Sequence, residues 1–267
     1  MKVSVITISY NDYKGLQSTI TSVISQTYFK NIEYIVIDGG STDGSKELIE
    51  SLKEKFKYSC SEKDGGIYQA MNKGLSHATG DYVIFANAGD RLYDNKVIEN
   101  FLSTERVKDM YVGNTLIVYQ NGKTQLWESP QEASMRILYD GALSHQATFF
   151  KTSVLKKYGF DETLRIVSDW KVYIQLLIQE NCSYEKLSFM VTRFAWGGIS
   201  SQSNKANQER KKVLNEYFPP RIQDDFKYLH FGYTDLEKKF KRIKLKTKSG
   251  KVLIGIINLI YKIQYGK

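Results

Sequence analysis

Gly80-Asp-Tyr-Val-Ile-Phe-Ala-Asn-Ala-Gly-Asp90 is the stretch that decides the fold. It opens at a turn, runs apolar from Tyr82 to Ala86 and stops abruptly in Asn87 and Asp90. A short continuous apolar run between turn residues is the pattern of a strand buried on both faces of a parallel sheet. The polar exit then falls at the carboxyl end of that strand, where open α/β sheets bind their ligands. Taken alone, Asp90 reads as a turn residue or as the start of a helix expected around Lys96 to Leu102. The strands upstream argue for more, because they end the same way.

Val3 to Ser9 reads as a strand with a polar exit at Tyr10-Asn11-Asp12, followed by a helix with Leu16, Ile20, Val23 and Ile24 on one face. Ile32 to Asp38 is a second strand, ending in an acid. Gly39-Gly-Ser-Thr-Asp-Gly-Ser45 turns the chain into a helix carrying Leu48, Ile49, Leu52 and Phe56. A weaker strand around Lys57 to Ser61 exits through Glu62-Lys-Asp64-Gly-Gly66, and the next helix leads to Gly80. Strand–helix alternation with short turns specifies a doubly wound, mostly parallel α/β sheet. Its successive strands exit at Asn11, Asp38, Asp64 and Asn87/Asp90, which together make a polar crevice on one edge of the sheet. No Gly-x-Gly-x-x-Gly follows the first strand and no Gly-x4-Gly-Lys-Ser/Thr occurs, so neither a dinucleotide fingerprint nor a P-loop is present. Gly39-Gly40 lets backbone approach a ligand closely, and also suits an ordinary turn and helix cap at Ser41.

At 267 residues the chain can bury a large core. Two cysteines, Cys60 and Cys182, are too few for a disulfide scaffold and fit a reducing compartment. The chain opens on a strand pattern without a charged-then-apolar leader, so secretion by that route is not expected, and the expected location is cytoplasmic, peripheral on the inner face of the cell membrane. The net charge of +9 suggests nucleic acid until it is located. Residues 236–267 hold ten Lys/Arg and one acid, Glu237, which leaves 28 basic and 28 acidic residues in 1–235. A body of net zero charge has no basic groove, so nucleic acid is not an expected partner.

Val3-Ser-Val-Ile-Thr-Ile-Ser-Tyr-Asn11, Ile37-Asp-Gly-Gly-Ser-Thr-Asp-Gly-Ser45, Asp64-Gly-Gly-Ile-Tyr-Gln-Ala-Met-Asn-Lys-Gly74 and Gly80 to Asp90 resemble, in order and spacing, the family 2 glycosyltransferases. The match covers roughly residues 1–95, and more loosely runs to about 200. It is nearest to members that build bacterial surface polysaccharides. The resemblance implies a GT-A fold, a nucleotide-diphosphate sugar donor, a divalent cation (Mn²⁺ or Mg²⁺) and inversion at the anomeric carbon. Carried onto this chain, it implies a donor site at Ile8, Tyr10, Asn11, Asp38, Gly39, Asp64, Asn87 and Ala88. Two departures stand out. Asp38-Gly39 occupies the place of two adjacent acids, which leaves the nucleobase to Asp38 or to backbone. Asn87-Ala-Gly-Asp90 occupies the place of an Asp-x-Asp or Asp-Asp metal motif, which leaves Asp90 as the one carboxylate there. A hard cation held by one carboxylate, the donor's diphosphate and water is physically reasonable, and should bind weakly until the nucleotide arrives.

Downstream, Tyr111 to Tyr119 and Lys123 to Trp127 read as a hairpin around Asn121-Gly122, and His145 to Phe150 as a strand. His145 is within expected reach of a phosphate or the acceptor, or is structural. Ser168-Asp169-Trp170 opens a helix bearing Tyr173, Ile174 and Leu177, where Asp169 is a candidate N-cap. The resemblance implies a second role: an acid at the start of this helix is the family's catalytic base, usually in a Glu-Asp pair, and here Ser168 replaces the Glu while Asp169 remains. Phe189 to Gly198 reads as a strand, and Trp170 and Trp196 are each an acceptor contact or a core residue. Residues 205–217 read as a mostly solvent-facing helix.

The expected organisation is a catalytic domain over 1–220, with a nucleotide half to about 105 and an acceptor half from 106, followed by a basic, amphipathic helical extension over 221–267. In that extension Val252, Leu253, Ile256, Ile257 and Ile260 share one helical face beside the basic run Lys238 to Lys248. The twelve-residue stretch Val252 to Ile263, strongly apolar with Asn258 and Lys262 inside it, is too short to span a bilayer. It suits either the interface of an anionic membrane, beside a glycan or lipid-linked acceptor, or docking on the catalytic domain. Two rival functions are a nucleotidyltransferase on a related sheet and a catalytically silent partner of a polysaccharide assembly. The first would want a glycine-rich, basic loop after the first strand, which Ser9-Tyr-Asn-Asp12 is not. Metal-dependent donor hydrolysis discriminates the second.

Overall fold

The computed structural model describes residues 1–197 and 203–228. The elements follow in chain order as β1 (Val3–Ser9), α1 (Tyr13–Ile24), β2 (Ile32–Asp38), α2 (Ser45–Ser51), β3 (Tyr58–Ser61), α3 (Ile67–His77) and β4 (Tyr82–Phe85). Then come β5 (Arg91–Leu92), α4 (Val97–Leu102), β6 (Met110–Val118), β7 (Thr124–Trp127), α5 (Met135–Asp140), β8 (Thr148–Lys151) and α6 (Thr152–Tyr158). α7 (Ser168–Tyr173) runs into a π-helical turn over Ile174–Gln179, and β9 (Tyr184–Ala195) and α8 (Ser203–Tyr217) follow.

Among the described residues the sheet has nine strands in the order β3-β2-β1-β4-β8-β6-β9-β5, with β7 paired to β6. β3, β2, β1 and β4 are parallel, as the alternating pattern requires. Beyond β4 the sheet is mixed: β8 is antiparallel to both β4 and β6, while β6 and β9 run parallel with two register shifts. The result is an α/β sheet of GT-A type. Val3, Val5, Ile6, Ile35, Val36, Ile37, Val83, Ile84 and Phe85 are fully buried, because α1 and α2 cover one face of this half and α3 the other.

Register places the site. Ser9 lies opposite Asp38, and Asp38 opposite Ser61, so three strand ends form one row. β4 continues the row through Ala86 N to Ile6 O and Ala88 N to Ile8 O, both 2.9 Å. Glu33 pins the other end of β4. Its carboxylate accepts Ser4 Oγ at 2.9 Å, Thr79 N at 2.9 Å and Thr79 Oγ1 at 2.7 Å, with Lys57 Nζ at 2.8 Å. One expected strand is shorter than its pattern. His145–Ala147 is a 3₁₀ turn, closed by Ala147 N on Ser144 O, and β8 begins only at Thr148.

By internal contacts the chain divides into a unit Met1–Glu216, which holds the whole sheet, and a unit Tyr217–Lys267. Within the second, Phe218 and Phe226 pack edge-to-face at 5.3 Å and Gln223 Nε2 donates to Phe218 O. The basic run Lys238 to Lys248 and the apolar segment after it lie outside the described residues. Among the described residues no helix is long and apolar enough to cross a membrane.

Candidate active site

At the carboxyl ends of β1, β2 and β4 lies a cleft of about 590 Å³. Ile8 and Tyr10 form one wall, Gly39 and Gly40 the floor, Asp64 to Ile67 the far wall, and Asn87 with Ala88 the inner end. Tyr10 is 67% exposed, an aromatic ring open to a stacking partner. Asn11 ties the wall to the floor: its N–H donates to Ser41 Oγ at 2.7 Å, and its Oδ1 accepts Thr42 N at 2.9 Å. Glycine keeps the floor open, and at Gly40 the backbone requires it. A Cβ on Gly39 would sit 2.8 Å from Asp64 Oδ2 and 3.2 Å from the Tyr10 ring, and Gly40 has φ +81° with Lys63 backbone N 3.0 Å from where its Cβ would be. Opposite, Asp64 Oδ1 accepts Gly66 N at 2.9 Å, and Arg165 donates from its guanidinium to Gly65 O at 2.6 Å.

Asp38 lies beneath this cleft rather than in it. It is fully buried, and its carboxylate accepts Ser41 N at 2.9 Å, Ser41 Oγ at 2.5 Å and Ser61 Oγ at 2.7 Å. Those bonds shape the Gly39–Ser41 turn, on which the floor of the cleft rests.

At the inner end, Thr19 of α1 holds the turn after β4. Its hydroxyl lies 3.1 Å from Asn87 O and 2.6 Å from Asp90 O, and accepts Gly89 N at 3.1 Å. β8 lies beside β4, and the 3₁₀ turn before it brings His145 Nε2 to 3.4 Å from Asn87 Nδ2. The other ring nitrogen, Nδ1, donates to Asp169 Oδ2 at 3.0 Å, the two side chains being 19% and 20% exposed. Tyr68 of α3 donates its hydroxyl to Asp169 Oδ1 at 3.3 Å. Burial alone would raise the Asp169 pKa, but the His145 bond and charge outweigh it and hold the carboxyl below its ordinary value. Burial works the opposite way on His145, and the facing Asp169 and Asp90 outweigh it, leaving the imidazole raised. An ionised, hydrogen-bonded carboxylate thus stands beside the Asn87–Asp90 turn at the start of α7.

The fit of a divalent cation is decided by two oxygens. Asn87 Oδ1 is buried with no hydrogen-bond partner among the described residues. Asp90 is only 5% exposed, and its pKa is pushed up to about 7 by burial, which the His145 charge and the Ala195 and Asn87 amides offset only in part. A neighbouring cation is the countercharge that such a carboxylate lacks, and hard oxygen donors suit Mg²⁺ or Mn²⁺. The described residues include no cluster of three or more His, Cys, Asp or Glu side chains able to hold a metal. The residues present therefore fit a cation only together with oxygens from a bound diphosphate.

A family model described as glycosyl transferase family 2 matches residues 4–163. The chain belongs to glycosyl transferase family 2. An uncharacterized glycosyltransferase of Mycobacterium tuberculosis is 34% identical over 207 residues, covering 74% of this chain and 77% of that protein. Among solved structures, Staphylococcus aureus TarS in complex with UDP-GlcNAc superposes with TM-score 0.65 at 21% identity, over 92% of this chain and 77% of that one. The mannosyltransferase PcManGT from Pyrobaculum calidifontis, in complex with GDP-Man and Mn²⁺, superposes with TM-score 0.61 at 16% identity, over 97% and 80%. At these identities the structures establish the shared fold. The family match contains the cleft, the Asn87–Asp90 turn and His145, and ends before Asp169.

Of the residues expected from sequence, Ile8, Tyr10, Gly39, Asp64, Asn87 and Ala88 line the cleft, Asn11 and Asp38 support it, and Asp90, His145 and Asp169 gather at its inner end. Trp170 does not join them. It is 2% exposed, its indole N–H donates to Leu138 O at 2.8 Å, and it packs the core as an aromatic with its one donor satisfied. Trp196 is 46% exposed beside Tyr119, ring centroids 5.7 Å apart, at the end of the strand whose Ala195 Cβ lies 3.8 Å from where a Cβ on Gly89 would be. Sequence reasoning missed Lys63, which lines the cleft, and Arg165, which bridges to its far wall. Lys63 stood beside Asp64 in a strand exit already singled out, whereas nothing local marked Arg165.

Proposed function

We propose that this glycosyltransferase takes a nucleotide-diphosphate sugar and transfers the sugar, with inversion, to a hydroxyl of a glycan or lipid-linked saccharide during polysaccharide assembly. The observation that carries the reading is the Asp169–His145 pair beside the Asn87–Asp90 turn. It sets an ionised base at the inner end of a cleft of about 590 Å³. Tyr10 stacks on the base of the nucleotide, Asp64 and the Gly39 backbone take its polar edge, and Asn87 with Asp90 would hold Mn²⁺ or Mg²⁺. Such a cation, when bound, would supply charge neutralisation for the leaving diphosphate. The acceptor oxygen attacks the anomeric carbon from the face opposite the leaving group, and Asp169 takes the hydroxyl proton. A carboxylate held below its usual pKa accepts that proton late, once the oxygen has begun to bond to carbon and the proton has become acidic. Trp196 stacks on the acceptor sugar, and His145 keeps Asp169 ionised and oriented. The basic tail, if it lies on an anionic membrane, places the site at the cytoplasmic face near lipid-linked acceptors.

A thermal-shift and calorimetry series with UDP-glucose, UDP-N-acetylglucosamine and GDP-mannose, with and without Mn²⁺, tests donor binding. A donor at a hundred times its Kd stabilises by about 2.7 kcal/mol. Asp169→Asn keeps the shape of the side chain, removes its charge and is expected to lower turnover about 10²- to 10⁴-fold with donor affinity unchanged. Failure of every donor to bind refutes the transferase site, and wild-type turnover in Asp169→Asn refutes the base.

A further inference from the structure

α8 follows the last strand, and its sequence reads as mostly solvent-facing. One face is not. Val213 is 1% exposed, and the helix meets the segment that carries Asp169 on both sides of that residue. Ahead of it, Glu209 Oε1 accepts Arg165 N at 2.9 Å, while Oε2 accepts Ile166 N at 2.9 Å and Val167 N at 3.2 Å. Behind it, the Arg210 guanidinium lies 5.0 Å over the Trp170 ring, and Glu216 reaches Lys171 Nζ at 2.8 Å.

The Glu209 contact is the one with a consequence for the reaction. Val167 is the N-cap position of α7 and has no side-chain oxygen to cap it, so the helix start takes its position from elsewhere. Three consecutive backbone N–H groups converging on one carboxylate fix the orientation of the chain immediately before Ser168 and Asp169. The same segment sends the Arg165 guanidinium to Gly65 O, in the far wall of the donor cleft. Glu209 therefore holds the base-bearing helix start and the bridge to the donor loop through a single side chain.

We propose that Glu209 is a positioning residue for glycosyl transfer, acting through Asp169. It sets the carboxylate against His145 and in register with the donor wall. The proposal rests on Asp169 being the base. A glutamine at 209 keeps one acceptor oxygen and loses the other, so Glu209→Gln should retain part of what Glu209→Ala abolishes.

The test uses the full chain and measures cleavage of UDP-glucose, UDP-N-acetylglucosamine or GDP-mannose, whichever the wild type cleaves fastest, for E209A, E209Q, D169N and the D169N/E209A double variant. A displacement of the base by about 1 Å costs up to about 100-fold, so E209A should lose kcat on that scale with the donor KM little changed, and E209Q should fall between. In the D169N background, E209A should add almost nothing, because residues acting as a unit are not additive. An equal loss from E209A in both backgrounds overturns the proposal and makes Glu209 a stability device. Wild-type turnover in D169N overturns the base reading instead. A second readout needs no turnover. The chain has three histidines, and the proton of His145 Nδ1, identified by its loss in H145Q, should give a hydrogen-bonded resonance in wild type and E209Q that shifts or vanishes in E209A. The same resonance in E209A as in wild type overturns the proposal.

Discussion

Acid should weaken this fold through Glu33 in particular, and Glu33→Gln isolates the effect. Glu33 is 8% exposed between β1, β3 and the turn that delivers β4. Burial by itself would raise its pKa, but the bonds from Lys57, Thr79 and Ser4 reverse that and bring it down from 4.5 to about 2. The folded state therefore prefers the ionised form. The contribution to stability is fully present above the unfolded pKa near 4.5, declines as pH falls, and is gone below about 2. A depression of about 2.5 units corresponds to about 3 kcal/mol. Urea denaturation of wild type and Glu33→Gln between pH 2 and 7 reads the quantity directly. Other paired acids, such as Asp161, with its pKa also lowered to about 2, titrate in both proteins and cancel in the difference. The expected gap is about 3 kcal/mol at pH 7, closing toward zero near pH 2. Parallel stability curves, with the same gap at pH 3 and pH 7, would refute the reasoning and show that Glu33 is held by its shape and not by its charge.

Asp90→Asn removes a buried carboxylate that already favours its proton near neutrality, so thermal stability should hold or rise while Mn²⁺-dependent donor binding disappears; calorimetry with unchanged Mn²⁺ dependence would remove Asp90 from the cation site. Gly39→Ala puts a methyl 2.8 Å from Asp64 Oδ2, which a side chain can evade at small cost to the fold, so donor affinity should fall with the midpoint of unfolding nearly unchanged, and wild-type affinity would show that the donor does not approach Gly39. A 1–235 truncation should stay folded and cleave donor but no longer sediment with anionic liposomes, from which the full chain should be partly released by high salt. Unfolding of the truncation, or a full chain that never binds those liposomes, assigns the tail to the catalytic fold.

Local sequence determined the strands, their order of appearance and the chemistry of their exits. Apolar runs bounded by Gly, Asn and Asp carry that information within about ten residues, and periodicity reads it. It determined equally that Tyr10, Asp64, Asn87 and Asp90 share one edge of the sheet, because every parallel strand in a doubly wound fold points its carboxyl end the same way. Which way each side chain faces was decided only in three dimensions. Asp38 and Asp64 look alike as strand-end acids, yet Asp38 turns inward to Ser41 and Ser61 because β3 brings Ser61 into register beside it. Trp170 and Trp196 look alike as aromatics at element ends, yet one is core and the other surface. The His145–Asp169 contact exists because β8 inserts antiparallel beside β4 and carries the His145 turn to the β4 exit. Glu209 sits 40 residues beyond Asp169 on a helix whose composition reads as solvated. No periodicity records that three amides of another segment would close on its carboxylate, since that bond belongs to the packing of two elements and to neither sequence alone.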